Sequence, residues 1–246
     1  MIIVEQLPVT HLLNRTLAGP VDALLNAVGV HPTNPEAPIS NAFAMQLVVV
    51  IVLFLLFFLV RSRLSVESPG GLQHTFEGLE AWIAGESSQI IGHHNAPYVP
   101  FLVTIFLFVL LCNLIGLIPG FESPTAIPAV PLGVAICSFF YYNAMGVKKQ
   151  GPLHYAAHFA GPLPVLAPLM VPIEIVSHLA RVMSLTIRLF ANMFAGDMVT
   201  LVFFSLIPLG LPVVFLGLHI GVSLLQAYIF ALLTMVYLAD AVAEAH

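Results

Sequence analysis

The chain alternates between long apolar runs and short polar breaks, and formal charges mark the breaks. No charged residue lies between Glu36 and Arg61, and residues 41–63 form the first long apolar run. Twenty helical residues at ~1.5 Å each cover ~30 Å, one hydrocarbon thickness, so this run predicts a membrane span. A second uncharged run lies between Glu86 and Glu122. Pro97 and Pro100 stand where a helix begins, which places its span at 99–118. A third run, between Glu122 and Lys148, predicts a span over 128–147. Residues 1–40 hold Pro8, Pro20, Pro32 and Pro35 and are expected to form an external N-terminal segment. They lack the basic start and apolar core of a secretory signal, so the first span is expected to serve as its own insertion signal.

Two segments depart from this simple pattern. In 71–95, Leu72, Phe76, Leu79, Ile83 and Ile90 recur at helical spacing, with Gln73, Glu77, Glu80 and Glu86 mostly elsewhere. That pattern predicts an amphipathic helix at the membrane interface. The last hundred residues predict two long helices, 170–207 and 213–241, broken by Pro208-Leu209-Gly210-Leu211-Pro212. Each exceeds the ~20 residues of a perpendicular crossing, so a tilted or kinked helical hairpin is expected. Arg61 and Arg63 follow the first span, and Lys148 and Lys149 follow the third. By the Lys/Arg rule this puts the N-terminus outside and the C-terminus in the cytoplasm.

Composition supports the same class. Charged residues make up 8% of the 246, and apolar residues 59%. An ordinary soluble domain has roughly 25% charge. Seven Lys and Arg cannot build a basic patch, so a nucleic-acid partner is excluded, as are a water-soluble enzyme and a disordered chain. The expected fold is an all-α integral membrane protein of about five membrane helices. Cys112 and Cys137 lie in apolar runs and read as inert side chains, not a disulfide.

Four charges then stand out because hydrocarbon should exclude them. Glu174, Arg181, Arg188 and Asp197 share the first long helix, and an ionised group at the bilayer centre costs at least ~2.5–3.5 kcal/mol. At 100° per residue, Glu174, Ser177, Arg181, Ser184, Arg188 and Asn192 fall in one stripe roughly 80° wide. Asp197 lies on the opposite face. Ala191 and Ala195 border the stripe and permit close approach of another helix. On the second helix His219, Ser223, Gln226, Tyr237 and Asp240 share a face, and Gly217 and Gly221 form a small-residue pair on the far side. Folding the hairpin at Gly210 brings Asp197 within reach of His219 and puts Arg188 near Gln226. Glu174 comes level with Asp240.

The polar residues therefore sort by depth. Glu174, Ser177, Arg181, Tyr237 and Asp240 lie toward the cytoplasm, Arg188, Asn192 and Gln226 are central, and Asp197 and His219 lie toward the outside. Carboxylates and histidine exchange protons at accessible pH, whereas arginine effectively does not. An arginine midway blocks continuous hopping and attracts any ionised carboxylate brought to it. Plainer readings stand beside this one. Arg188 could be a structural arginine, and Asp197 with His219 a pair that fixes the hairpin. Arg181 suits a structural role as well as a channel role. Tyr237 and Ser223 are more often packing or hydrogen-bonding residues. His154 and His158 have i, i+4 metal-ligand spacing but no third ligand nearby, and His93 and His94 read as interfacial. A haem-binding oxidoreductase subunit would need paired deep histidines, and only His219 is deep. A secondary transporter often carries a repeat, and none is visible.

The segment Ser184-Leu-Thr-Ile-Arg188-Leu-Phe-Ala-Asn192-Met-Phe-Ala-Gly196-Asp197 resembles subunit a of the bacterial F-type rotary ATP synthase. So do Asn113-Leu-Ile-Gly-Leu-Ile-Pro119 with Ser123-Pro124-Thr125, Pro172-Ile-Glu174, Leu225-Gln226-Ala-Tyr-Ile-Phe230 and Leu233-Thr-Met-Val-Tyr237-Leu238. The resemblance implies a proton-translocating stator with two offset half-channels, no covalent chemistry of its own and no cofactor. It implies the c-subunit ring, the b-subunit peripheral stalk, other ATP synthase subunits and membrane lipids as partners. Arg188 matches the stator arginine that faces the c-ring carboxylates, with Asn192 and Gln226 as its polar neighbours. Glu174, Ser177, Arg181 and Ser184 match the cytoplasmic half-channel, and Asp197 and His219 the outer one. Relatives often carry Glu at the position of Asp197, and the shorter side chain implies a water bridge to His219. Whether the ion is H⁺ or Na⁺ depends largely on the ring.

Overall fold

The computed structural model describes residues 7–27, 29, 37–65, 69–118, 121–152, 155, 167–206 and 211–243. These form seven α-helices: α1 (Pro8–Ala27), α2 (Asn41–Ser62), α3 (Gly71–Ile91), α4 (Val99–Leu114), α5 (Ala129–Gln150), α6 (Ala167–Leu206) and α7 (Leu211–Val242). Two short 3₁₀ turns, Ile115–Leu117 and Pro124–Ala126, lie between α4 and α5. No strand occurs among the described residues. Five helices are long and apolar enough to cross a membrane, namely α2, α4 with its 3₁₀ extension, α5, α6 and α7. The protein is an all-α membrane protein.

α1 falls where the sequence predicts an external segment with no named element. Pro8 opens it and Pro20 sits inside it. α1 is anchored to the start of α2. The Asn14 side chain exchanges two hydrogen bonds with the Ile39 backbone, and the Leu7 N–H donates to Asn41 Oδ1. Ser40 then caps α2 by accepting from the Phe43 N–H. α2 is apolar on all sides. Met45, Val49 and Leu53, at helical spacing, are buried, whereas Phe54, Leu55 and Phe58 are exposed, as suits a helix that meets lipid on most of its surface.

α3 is helical as expected, and Phe76, Leu79, Ile83 and Ile90 of its apolar face are buried or half-buried. Leu72 is exposed, while Gln73, Ile83 and Ser87 are buried. Gln73 turns inward because its side chain is fully used. It accepts from the Ser65 N–H and donates to the Ser65 carbonyl and to Glu77. Burial of an amide requires such partners. Trp82 stacks on Tyr228 of α7 at 5.3 Å, and the Tyr228 hydroxyl donates to Glu86, so α3 is docked on the bundle at two points.

The central core is shared by α3–α7: Leu102, Phe106 and Val109 of α4 meet Ala135, Leu189, Met193, Phe230 and Met235. α4 and α7 are joined by a buried polar seam. Asn113 Nδ2 donates to the Ser223 carbonyl, Thr125 Oγ1 donates to Asn113 Oδ1, and Ser123 donates to the Cys112 carbonyl. Gly116 is required here, because a Cβ would stand 2.8 Å from the Ser123 backbone nitrogen. Ser138 and Thr234 form a second buried hydroxyl pair between α5 and α7. Both cysteines are free, Cys112 buried and Cys137 exposed.

α6 has 40 residues and α7 has 32, so they extend ~60 and ~50 Å against a ~30 Å hydrocarbon layer. α6 begins before Pro172, which lies inside it. The two helices run antiparallel. Phe203 stacks on Phe215, Asp197 faces His219, and Arg181 pairs with Asp240. Residues 207–210, which include most of the expected helix-breaking motif, lie outside the described residues.

The far end of the hairpin is locked to α5. Gln150 donates to the Ala241 and Ala243 carbonyls, which α7 cannot satisfy within itself. The buried Tyr155 donates to Asn143, and burial, with the nearby Asp240 adding, pushes its phenol above the ordinary range. Gly146 makes room for both. A methyl there would meet the Tyr155 ring at 2.5 Å and the Ala241 carbonyl oxygen at 2.8 Å. Gly146→Ala is predicted to destabilise the protein by about 1–3 kcal/mol through overpacking. Thermal denaturation in detergent checks this, and an unchanged midpoint contradicts it.

Candidate functional site

Three groups of polar side chains lie along α6 and α7. The first is near the loop between α4 and α5. A cavity of about 690 Å³ is lined by Gly116, Glu122, Ser123, Asp197, Thr200 and His219, among others. His219 is buried, and its Nδ1 lies 3.8 Å from Asp197 Oδ1. That is longer than a direct hydrogen bond. The imidazole fits because residue 196 is glycine: a Cβ there would stand 3.1 Å from His219 Nδ1. Asn41 Nδ2 reaches Glu122 at 3.5 Å, so α1, α2 and this cavity are connected through one carboxylate.

The second group is in the middle. Arg188 is partly exposed and makes no hydrogen bond or ion pair with any described residue. Around it Ser184, Ala191 and Ala195 are exposed, and toward the Asp197–His219 end of α7 so are Gly217, Leu218, Gly221 and Leu225. Neither Gly217 nor Gly221 has a neighbour within 4 Å of where a Cβ would be. The hairpin thus presents an uncovered face of small and apolar residues with a guanidinium in it. Gln226, by contrast, is buried. Asn192 lines a smaller cavity of about 200 Å³ that His219 and Gly196 also border. His219 therefore stands between the larger cavity and the depth of Arg188.

The third group is at the opposite end, where α5, α6 and α7 are locked together. Arg181 forms an ion pair with Asp240 at 2.8 Å, and its guanidinium carbon lies 5.1 Å from the centre of the Tyr237 ring. Glu174 lies 3.5 Å from His178 Nε2, and His178 Nδ1 is 3.1 Å from the Tyr142 hydroxyl. Ser177 is half-buried on the same helix.

Some of these residues were not singled out by periodicity. Glu122 had served only as a break between spans, yet it lines the same cavity as Asp197. Its one sequence signal is being a carboxylate in an otherwise uncharged loop at that end. His178 sits beside the polar stripe, one turn from Glu174, and the i, i+4 spacing was its signal. Among the described residues no cluster of three His, Cys, Asp or Glu is placed to hold a metal. His154 and His158 lie outside the described residues, and His93 and His94 are exposed.

Fold and site together define an all-α integral membrane protein with polar and charged side chains along two long adjacent helices, and with an arginine between two clusters that is unpaired among the described residues. Comparison with known proteins gives the family. The family model described as ATP synthase A chain matches residues 42–239. "ATP synthase subunit a" of Koribacter versatilis is 53% identical over 242 residues, covering 98% of this chain and 99% of that protein. The protein of the same name from Solibacter usitatus is 54% identical over 235 residues, covering 96% and 100%. That from Helicobacter pylori is 44% identical over 206 residues, covering 82% and 91%. The chain belongs to the ATP synthase A chain family.

The contact between Gly196 and His219 gives a local test. Gly196→Ala requires the imidazole to give by a few tenths of an ångström, and Gly196→Leu is predicted to push it away from Asp197 altogether. A structure of the Leu variant checks this. An imidazole that has not moved contradicts the packing described.

Proposed function

We propose that this chain is the proton-conducting stator of the F-type ATP synthase membrane sector. Protons reach and leave carboxylates of a c-subunit ring through two offset half-channels, and Arg188 keeps the two apart. The outer half-channel begins at the cavity holding Glu122 and Asp197 and continues to His219. The cytoplasmic one begins at Asp240, Arg181 and Glu174 and runs along Ser177 and Ser184, with Tyr237 on its wall. Asn192 and Gln226 flank the arginine. The ring sits on the uncovered α6–α7 face, and the b-subunit stalk and other synthase subunits complete the assembly. In this reading the N-terminus is outside and the C-terminus is cytoplasmic.

The observation that supports this most is the unpaired state of Arg188. A guanidinium cannot give up its proton at any accessible pH, so it does not relay protons. In a membrane it needs a counter-charge, and this chain supplies none among its described residues. A carboxylate arriving on a second helix supplies it. Such a carboxylate arrives ionised, because the arginine stabilises its anion. It leaves toward either cluster only by taking a proton there. Each passage past Arg188 therefore moves one proton from one side to the other, and the positive charge blocks a direct leak. The exposed small residues Ala191 and Ala195 let the partner helix come close enough for this.

The test is ATP-driven proton pumping in inverted vesicles carrying the assembled complex. Arg188→Ala is predicted to abolish pumping with assembly intact, and near-normal pumping would overturn the proposal. Asp197→Asn is predicted to slow pumping less than Arg188→Ala does, because His219 and water remain. An equal or greater loss contradicts that ordering.

A further inference from the structure

The cytoplasmic path of the proposed stator starts at a carboxylate, Glu174, whose surroundings are set from α5, a helix outside the hairpin. The Glu174 side chain is 29% exposed. Its one ion-pair partner among the described residues is His178, a turn further along α6, with Nε2 3.5 Å from Oε1. An acid four residues before a base is the favourable order on a helix. His178 is buried, so its second ring nitrogen also needs a partner. Nδ1 finds one 3.1 Å away in the Tyr142 hydroxyl of α5.

Two aromatic rings of α5 then fix the imidazole. The Tyr142 ring lies within 19° of its plane at 6.0 Å, and Phe139 meets it edge-on at 81°. Tyr142 is fully packed, and its ring also lies 5.9 Å from that of Tyr237 on α7. It is thus wedged where α5, α6 and α7 meet. A hydroxyl both donates and accepts, so its bond to Nδ1 lasts whether the imidazole is neutral or charged. The ring is therefore aimed, with its Nε2 edge toward Glu174. The other carboxylate at this end is held differently. Asp240 closes on the Arg181 guanidinium at 2.8 Å, and Arg181 lies over the Tyr237 ring. Asp240 is engaged by a group that keeps its charge, and Glu174 by one that takes up and releases a proton.

We infer that His178 is a positioning residue for Glu174, itself aimed from α5 by the Tyr142 hydroxyl. It restrains a partly exposed carboxylate against the corner where the three helices meet, which keeps that carboxylate at the mouth of the path. Without the imidazole Glu174 still exchanges protons, but it is free to swing away from the place where they are handed on. His178 is not a further relay. From Glu174 the contacts lead through it into the packed cluster of Tyr142, Leu238 and Val242, at the end of the hairpin away from Arg188. This inference rests on the stator reading above.

The experiment measures ATP-driven proton pumping in inverted vesicles of the whole complex. His178→Leu and His178→Gln are compared, each alone and combined with Glu174→Gln, with Arg188→Ala in parallel. Leu fills the space of the imidazole without polar atoms, and Gln brings an amide N–H back near the Nε2 position. His178→Leu is expected to slow pumping about three- to tenfold at unchanged complex content, and His178→Gln to keep at least about half the rate. In the Glu174→Gln background His178→Leu is expected to cause no further loss, because it acts only through that carboxylate. If His178→Leu lowers the complex content, Tyr142→Phe replaces it, with a loss of about twofold that vanishes in the Glu174→Gln background. A wild-type rate for His178→Leu overturns the inference, and so does a normal rate for Glu174→Gln. Equal losses with Leu and Gln, or a full further loss in the Glu174→Gln background, mark a packing residue and also overturn it. If His178→Leu is normal while Arg188→Ala is impaired, only this inference fails. If Arg188→Ala pumps normally, the stator reading fails with it.

Discussion

An arginine that no residue of its own described chain neutralises is the constraint on which the rest depends. Inserting a charge into hydrocarbon is unfavourable by several kcal/mol on any scale, and a protein that retains one must hold it at a protein surface or a wet cavity. Arg188 is on the uncovered face of the two longest helices. The features around it keep that face open. α6 buries only a narrow seam, including Leu185, Leu189 and Met193, and leaves Met183, Ile187 and Phe194 exposed. Small residues flank the arginine where bulky ones would hold a partner away. On the proposed mechanism, the missing counter-charge is what the moving carboxylate of the ring provides.

The remaining architecture serves to keep two titratable clusters at opposite ends of this hairpin. At one end, α1 and the start of α2 fix the loop that carries Glu122 beside Asp197. At the other, Gln150, Tyr155 and Gly146 lock the end of α7 to α5, so that Arg181 and Asp240 meet. The buried seams Asn113–Ser223 and Ser138–Thr234 fix the rotation of α7 between those ends. Such seams cost little in an apolar bundle when every group is satisfied, and they specify one register. Among the described residues of α7, His219 Nε2 and Ser223 Oγ are the exceptions, and His219 lies on the proposed path.

Much of this was legible in the sequence, for physical reasons. Charge is so unfavourable in lipid that its spacing marks the spans, and the five membrane helices follow from it within a few residues. Helical periodicity likewise gave the stripe of Glu174, Arg181 and Arg188, and the excess length of the last two helices implied their hairpin. Periodicity tells which residues share a face but not which neighbour that face meets. Gln73 was therefore placed off the apolar face of α3, although three hydrogen bonds let it be buried. Glu122 and His178 went unrecognised because their partners, Asn41 and Tyr142, come from distant parts of the chain. α1 was not named from the sequence, since its anchoring through Asn14 and Asn41 is tertiary.

The central claim is that Arg188 separates two proton paths and is not itself a conduit. The most direct measurement is passive proton flux, driven by an imposed membrane potential, through vesicles stripped of the catalytic sector. With Arg188→Ala the account predicts that protons still cross, at the native rate or faster, because the barrier between the clusters has been removed. A membrane sector that assembles normally but no longer conducts protons would contradict it, since the arginine would then be carrying the protons.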